Sequence, residues 1–177
     1  MLGAIIIFIL LLVFVIASTT FETPPTAIRH VQHILNPEIS QIIPDLYLSN
    51  YQGSIDYEAL KSHHITQILT VGSELPRHKD PRFKTMHIKI ADSADENIKK
   101  YFNSTYGFIK RGRTLVHCAA GVSRSPTIVA AYLMRVNGWP AKQALAYIWD
   151  RRNIVNPNYG FMQQLEKFEE ELKNKEE

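Results

Sequence analysis

The residues best suited to chemistry lie in one stretch, residues 117–125, which reads HCAAGVSRS. It contains the only cysteine of the 177-residue chain, Cys118, followed six positions later by Arg124. A thiolate is a strong nucleophile, and the N-terminus of a helix favours its negative charge. A loop of small residues can turn successive backbone N–H groups inward as an anion-binding nest. The stretch therefore predicts attack by Cys118 on a phosphate ester.

The residue types in this loop also predict how the phosphate is bound. Arg124 offers a planar fork that can bind two phosphate oxygens at once, which Lys cannot reproduce. Gly121 permits a close backbone approach. Ser125 can donate a hydrogen bond to the sulfur and ease its departure, and His117 is expected to orient the loop without touching substrate. The residues expected to bind phosphate are Ala119, Ala120, Gly121, Val122, Ser123 and Arg124.

The segments around the loop alternate between strand and helix patterns. Strands are predicted over 41–43, 46–48, 65–71, 83–90 and 114–116, the first two as a hairpin. Helices are predicted over 54–63, 97–110 and 125–137, from Pro140 onward, and after Asn158. Ser54 is expected to cap the first helix and Gly138 to end the third. This alternation predicts an α/β domain with a central sheet covered on both faces.

The N-terminal end of the chain is apolar. Residues 2–17 contain no charge and no proline. As a helix they would span roughly 24 Å, less than the ~30 Å hydrocarbon core, although the uncharged residues 18–21 could lengthen the span. Val15, Ile16 and Ala17 would suit a signal peptidase, but no basic residue precedes the run. We therefore expect an uncleaved membrane anchor within residues 1–21, with a cleaved secretory signal and a buried core helix as alternatives.

Composition and charge bound the remaining possibilities. Residues 22–39 contain prolines and no clear period, which indicates a linker before a globular domain at 40–177. The net charge of +3 without a dense basic block does not indicate nucleic-acid binding. The other histidines lack metal-ligand spacing, so neither a metal nor a cofactor is expected.

Because a reactive thiolate needs reducing surroundings, we expect the anchored domain to face the cytosol; a secreted or a cytoplasmic protein is the alternative.

At 117–125 the pattern His-Cys-x-x-Gly-x-x-Arg-Ser matches the active-site motif of the cysteine-dependent protein tyrosine phosphatase superfamily. Its surroundings resemble the small atypical dual-specificity phosphatases, which have no kinase-docking domain. The resemblance covers about residues 40–168 and includes blocks at 43–48, 131–134 and 156–165. It implies a phosphatase catalytic domain at 40–177, with a central mixed, mostly parallel sheet flanked by helices on both faces.

The resemblance also implies a general acid and a substrate class. The family's acid is an aspartate on a separate loop upstream of the cysteine. Asp92 directly follows the predicted strand that ends at Ile90 and matches the family residue by local pattern. Asp95 is the other candidate, although it is better placed near the N-terminus of the following helix. The implied substrates are proteins phosphorylated on tyrosine, serine or threonine, mitogen-activated protein kinases among them.

Other members of the superfamily act on other substrates. Phosphoinositide phosphatases usually carry lysines at the variable loop positions, where this chain has Ala119, Ala120, Val122 and Ser123. RNA triphosphatases would also need a more basic pocket, and no carbohydrate-binding module indicates a glucan phosphatase. A non-catalytic phosphopeptide-binding protein normally lacks the nucleophile or the arginine, and both are present. We therefore expect a protein phosphatase, with a lipid phosphatase and a phosphopeptide-binding protein as alternatives.

Overall fold

The computed structural model describes residues 38–174 of the chain. The predicted anchor at 1–21 and nearly all of the predicted linker at 22–39 lie outside the described residues, so both stay predictions. Among the described helices, none is both long enough and apolar enough to cross a membrane. The described part includes residues 118–123, which we call the Cys118 loop, and the elements around them.

A five-stranded mixed sheet lies at the centre of the described part, in the strand order β1-β2-β5-β3-β4. The strands are β1 (Ile39–Ile43), β2 (Leu46–Ser49), β3 (Gln67–Val71), β4 (Lys84–Ile88) and β5 (Thr114–His117). β1 pairs antiparallel with β2, as the predicted hairpin requires, and the other three pairings are parallel. This confirms the prediction of a mixed, mostly parallel sheet, with the short strand β5 at its centre.

Six helices and one 3-10 turn connect or follow the strands of the described part. They are α1 (Tyr51–Ile55), α2 (Tyr57–Ser62), the 3-10 turn Lys99–Tyr101, α3 (Phe102–Ile109), α4 (Arg124–Asn137), α5 (Ala141–Trp149) and α6 (Tyr159–Lys173). As predicted, α4 ends at Gly138, whose φ of 66° is left-handed. Asn158 caps α6 by accepting the Phe161 N–H. The predicted helix at 97–110 begins later, in the 3-10 turn.

The prediction that Ser54 caps a single helix over 54–63 is wrong. Two short helices lie there instead. Asn50 caps the first and Asp56 the second, each through a side-chain oxygen that accepts a backbone N–H, at 2.9 and 3.0 Å. Ser54 is buried within α1 and donates its hydroxyl to the Tyr51 carbonyl at 2.7 Å. The segment contains several polar residues able to cap, and the local pattern does not rank them.

Apolar side chains on the two faces of the sheet form two cores. Along β2, Leu46 and Leu48 belong to the larger core and Tyr47 to the smaller, as the two-residue period of a strand requires. The helices α3 to α6 complete the larger core. Leu60 of α2 packs into the smaller core on the other face. Helices therefore cover both faces of the sheet, as predicted.

Candidate active site

Four parallel strands end at one edge of the sheet, and three of them are followed by a loop that carries a site residue. β5 ends at His117, directly before Cys118. β3 leads into the loop that carries Glu74, and β4 into the loop that carries Asp92. The carboxyl ends of parallel strands lie side by side, so the three loops meet there.

Cys118 lies in the loop between β5 and α4, and only 1% of its surface is exposed. Its Sγ accepts two hydrogen bonds, from the Gly121 N–H at 3.3 Å and from the Ser125 hydroxyl at 3.1 Å. Both donors, together with the N-terminus of α4, stabilise a negative charge on the sulfur. Ser125 thus lies where the sequence analysis expects it, against the sulfur.

Gly121 occupies the middle of this loop and cannot be replaced without distortion. Its φ of 68° lies in the left-handed region. A Cβ atom there would come within 2.6 Å of the Ser49 carbonyl oxygen and 2.8 Å of Nη2 of Arg152. The loop therefore follows a path that only glycine allows at this position.

Arg124 is buried at the start of α4 and is paired with Glu74. Its Nη1 donates to Oε2 of Glu74 at 2.7 Å, and its Nη2 lies 2.6 Å from Oε1. Nη1 also donates to the Ile90 carbonyl at 3.3 Å. Burial alone would lower the pKa of Arg124, but the Glu74 hydrogen bond and the negative charges nearby raise it, so the guanidinium stays charged. The hydrogen bond from Arg124 lowers the pKa of Glu74 in turn.

The pairing with Glu74 occupies the Nη1–Nη2 end of the guanidinium. The Nε–H and the second Nη2–H remain, and they lie along one side of the group, which we call the open edge of Arg124. Nε is buried and has no hydrogen-bond partner among the described residues, although Oδ2 of Asp92 lies 3.5 Å from it. Two parallel donors on one edge match the spacing of two phosphate oxygens.

Asp92 is held against the Cys118 loop by two hydrogen bonds to one oxygen. Its Oδ1 accepts from the Ser123 hydroxyl at 2.7 Å and from Nδ2 of Asn158 at 2.8 Å. The Ser123 oxygen in turn accepts the backbone N–H of Asn158 at 3.1 Å. The Asp92 side chain remains 35% exposed, so it can exchange a proton with a bound molecule or with water.

Asp95, the other candidate acid, lies on the same loop and, like Asp92, is exposed to solvent. Within residues 38–174 it forms no hydrogen bond to the Cys118 loop. Near the N-terminus of the following 3-10 turn, the side chain of Asn97 accepts the Lys100 N–H at 3.2 Å. Of the two aspartates, the structure brings only Asp92 to the site.

His117 lies behind the nucleophile and is buried. Its Nδ1 is 3.4 Å from the Cys118 carbonyl, and its Nε2 is 2.8 Å from the Thr70 hydroxyl. Burial lowers the pKa of His117 to about 3, so the ring is neutral at physiological pH. A carbonyl only accepts, so the ring proton belongs on Nδ1 and Thr70 donates to Nε2. Nowhere between residues 38 and 174 could a group of three His, Cys, Asp or Glu side chains hold a metal ion.

Three residues that the sequence analysis did not single out contact the site. Glu74 pairs with Arg124, Asn158 holds Asp92, and Arg152 donates to carbonyls of the Cys118 loop. Each lies more than 25 positions from its partner, so no local spacing connects them. One signal was present: Asn158 falls in the block 156–165, which contributed to the family resemblance.

Comparisons with known proteins agree with this geometry. The family described as the dual specificity phosphatase catalytic domain matches residues 46–171. Dual specificity protein phosphatase 1 of Arabidopsis thaliana is 40% identical over 139 residues, which cover 75% of this chain and 70% of that protein. A Dictyostelium discoideum relative, a dual specificity protein phosphatase by name, is 38% identical over 136 residues. These residues cover 75% of this chain and 63% of the relative, less than two thirds of its length.

A solved structure with the same fold is the human tyrosine phosphatase-like serine/threonine/tyrosine-interacting protein. It superimposes with a TM-score of 0.72 at 33% sequence identity, covering 76% of this chain and 97% of that chain. The matched family spans most of the described residues, including all three loops of the site. The chain therefore belongs to the dual specificity phosphatase family and carries its catalytic domain.

Proposed function

We propose that the chain hydrolyses phosphotyrosine, phosphoserine and phosphothreonine in proteins through a phosphocysteine intermediate. One observation carries the proposal: the Cys118 sulfur is stabilised by two hydrogen-bond donors, and the helix that directly follows its loop begins with Arg124, which has an open edge. This combination supplies a nucleophile and a two-oxygen phosphate fork in one continuous segment. Membership of the family supports the same reaction.

In the first step, the Cys118 thiolate attacks phosphorus and forms a sulfur–phosphorus bond. The bond from phosphorus to the substrate oxygen breaks, and Asp92 gives its proton to the leaving phenolate or alkoxide. The backbone N–H groups of residues 119–124 and the open edge of Arg124 bind the three non-bridging oxygens. The products are the free hydroxyl of the substrate, phosphocysteine and the Asp92 carboxylate.

In the second step, water attacks the same phosphorus and the sulfur leaves. The Asp92 carboxylate takes a proton from that water, which restores the acid for the next cycle. The Ser125 hydroxyl, 3.1 Å from Sγ, stabilises the departing thiolate. Inorganic phosphate is released and the nucleophile is regenerated.

A lipid phosphatase of the same chemistry is the first alternative. A phosphoinositide carries further phosphates, which call for additional cations around the loop. The variable loop positions here carry no lysine or arginine, and Arg124 is paired with Glu74, an additional negative charge at the site. These observations favour a substrate with one phosphate at the site. Equal turnover of a phosphoinositide and a phosphopeptide would support the alternative.

A phosphopeptide-binding protein without turnover is the second alternative. The human structural relative is named as tyrosine phosphatase-like and as an interacting protein. In this chain the nucleophile, the arginine fork and the candidate acid are all present, which favours turnover. Release of inorganic phosphate from a phosphopeptide distinguishes the two.

The decisive experiment replaces the nucleophile. Cys118→Ser should abolish turnover of a phosphotyrosine peptide and leave the melting temperature almost unchanged, because a serine hydroxyl is protonated at neutral pH. The wild type should accumulate phosphocysteine in acid-quenched samples. A Cys118→Ser protein with a tenth of the wild-type rate would refute the phosphocysteine mechanism.

The substrate class includes mitogen-activated protein kinases, as the family resemblance implies. Asp92→Asn should slow cleavage of the bound ester enough to retain a phosphoprotein on the resin. Asp92→Asn with Arg124→Met, which removes the phosphate fork, is the control and should capture less. A doubly phosphorylated kinase of this class should bind Asp92→Asn and be displaced by vanadate. Binding that vanadate leaves intact would place the contact outside the site and exclude this substrate.

We also propose that residues 2–17 anchor the protein in a membrane with the catalytic domain in the cytosol. The support is the unbroken apolar run and the need of Cys118 for reducing surroundings. The full chain should resist carbonate extraction, and protease should digest the domain in intact microsomes. A protected domain, or Ser18 as the mature N-terminus, would instead indicate the secretory pathway.

A further inference from the structure

Arg152, in the segment after α5, is a buried cation beneath the Cys118 loop. Only 3% of its surface is exposed. Its Nε donates to the Gly121 carbonyl at 3.0 Å and its Nη2 to the Ala120 carbonyl at 3.3 Å. The charge is compensated at the far side, where Nη1 lies 3.3 Å from the Glu38 carboxylate. Burying an arginine is costly unless it is paired and hydrogen-bonded, so the contacts of Arg152 indicate which groups it serves.

The groups that Arg152 serves are carbonyls of the Cys118 loop, which need hydrogen-bond donors. If the loop N–H groups turn toward a phosphate, the carbonyls of the same peptides turn away from it, into the protein. A buried carbonyl needs a donor. Residues 119–122 present four consecutive carbonyls. The Ala119 carbonyl accepts the backbone N–H of Tyr51 at 3.0 Å, and the Val122 carbonyl accepts that of Asn156 at 2.8 Å. The middle two depend on a single side chain, Arg152.

The fit between Arg152 and the loop is close at Gly121, whose backbone is left-handed. Gly121 has a left-handed φ of 68°, and a Cβ atom on it would lie 2.8 Å from Nη2 of Arg152. The guanidinium therefore packs directly against the Gly121 backbone, in the space that a side chain at this position would need. Burial lowers the pKa of Arg152, while the charges of Glu38 and Cys118 oppose this effect. A charged guanidinium there also attracts the anion on the other side of the loop.

We propose that Arg152 is a positioning residue that holds the Cys118 loop in its anion-binding conformation. It does not touch the substrate; it acts through the carbonyls of Ala120 and Gly121. The inference rests on the proposed function, since it assigns Arg152 a role in the same phosphatase reaction. Lysine would keep the charge but lose the planar fork that serves two neighbouring carbonyls at once.

The test uses the fact that Cys118 is the only cysteine of the chain. Iodoacetate alkylates that thiolate, and inorganic phosphate bound in the loop protects it, so the protection curve gives the phosphate Kd without any turnover. In the full chain, Arg152→Met should raise this Kd by about tenfold and Arg152→Lys by about threefold. The KM for an aryl phosphate should rise by similar factors, and kcat should change less.

Arg151→Met is the matched control. Arg151 is the exposed neighbour, its guanidinium carbon lies 3.5 Å from the Tyr147 ring centroid, and its loss makes the same change in net charge. This variant should leave the phosphate Kd and KM within about twofold of the wild type. A Kd that rises equally in Arg151→Met would mean that net charge alone is responsible, which would overturn the proposal.

A purely structural role for Arg152 predicts a different pattern. Both Arg152 variants would then melt at lower temperature and keep the wild-type phosphate Kd and KM, and that result would overturn the proposal. If Arg152→Met does not fold, Arg152→Lys decides by the same criterion. A wild type that turns over no phosphate ester would refute the proposed function instead, and the protection assay would still decide the role of Arg152.

Discussion

The Ser123 hydroxyl donates a 2.7 Å hydrogen bond to Oδ1 of Asp92, which joins the loop of the nucleophile to the loop of the candidate acid. Nδ2 of Asn158 donates to the same oxygen at 2.8 Å. The position of the acid is therefore set by the Cys118 loop and by the residue that caps α6, and its own loop is exposed to solvent. Changes at either donor should act on proton transfer to the leaving group.

The first prediction separates the two candidate acids. Asp92→Asn should lower kcat for an alkyl phosphate by about 10²-fold, because the alkoxide leaving group needs a proton. It should lower kcat far less for an aryl ester whose phenolate is stable without one. Parallel assays of both esters give the ratio.

Asp95→Asn is the control for that experiment, because it removes the same charge from the same loop. It should leave both esters within about twofold of the wild type, since charge pairs between exposed groups are weak. A selective loss on the alkyl ester in Asp95→Asn, with Asp92→Asn unaffected, would transfer the role of the acid to Asp95.

A second prediction concerns Asn158, which both caps α6 and holds Asp92. Asn158→Asp keeps an oxygen for the Phe161 N–H but replaces the donor to Asp92 by a like charge. It should lower kcat for the alkyl ester by about tenfold with little change in melting temperature. Asn158→Ala also loses the cap, so it should in addition lose ~1 kcal/mol of unfolding free energy.

A double-mutant cycle tests whether the loss of kcat in Asn158→Asp acts through Asp92. In the Asp92→Asn background, Asn158→Asp should have almost no further effect on kcat, because the group it positions is already gone. Full additivity of the two losses would mean that Asn158 acts elsewhere, for example on the conformation of the Cys118 loop.

Much of this architecture could be predicted from local patterns, and its limits have a physical origin. The residues from Cys118 to Ser125 are contiguous, so their spacing alone indicates a loop between a strand and a helix. The two-residue and 3.6-residue periods locate the strands and α4 in the same way. The contact of Glu74 arises only when parallel strands bring distant loops to one edge, and that of Arg152 only when the segment after α5 packs against the Cys118 loop. No local period encodes either contact. Ser54 was assigned wrongly because several neighbouring residues can cap equally well.

A third prediction concerns the pairing of Glu74 with Arg124. Glu74→Gln keeps the size of the side chain but removes the bidentate charge pair that orients the guanidinium. The Glu74 side chain is 48% exposed, so the gain from removing its negative charge is screened by solvent. The loss of orientation should dominate, and kcat/KM for an aryl phosphate should fall by about tenfold.

Glu166→Gln, at an exposed position of α6, controls for the change in net charge. It should leave kcat/KM unchanged. If Glu74→Gln instead raised kcat/KM, repulsion between Glu74 and the phosphate dianion would outweigh its orienting effect, and the third prediction would be wrong.

The last prediction is a pH dependence of stability caused by His117. Burial lowers its pKa to about 3, whereas a histidine in the unfolded chain titrates near 6.5. Between these values the unfolded state binds one more proton than the folded state, so the free energy of unfolding falls as the pH falls below about 6.5. The slope from this one group approaches ~1.4 kcal/mol per pH unit.

His117→Asn should lose that part of the slope. Urea unfolding of the wild type and of His117→Asn between pH 7 and 5 measures the difference in slope. Identical slopes for the two proteins would show that His117 is already protonated in the folded state, which would contradict the neutral ring and its hydrogen bond from Thr70.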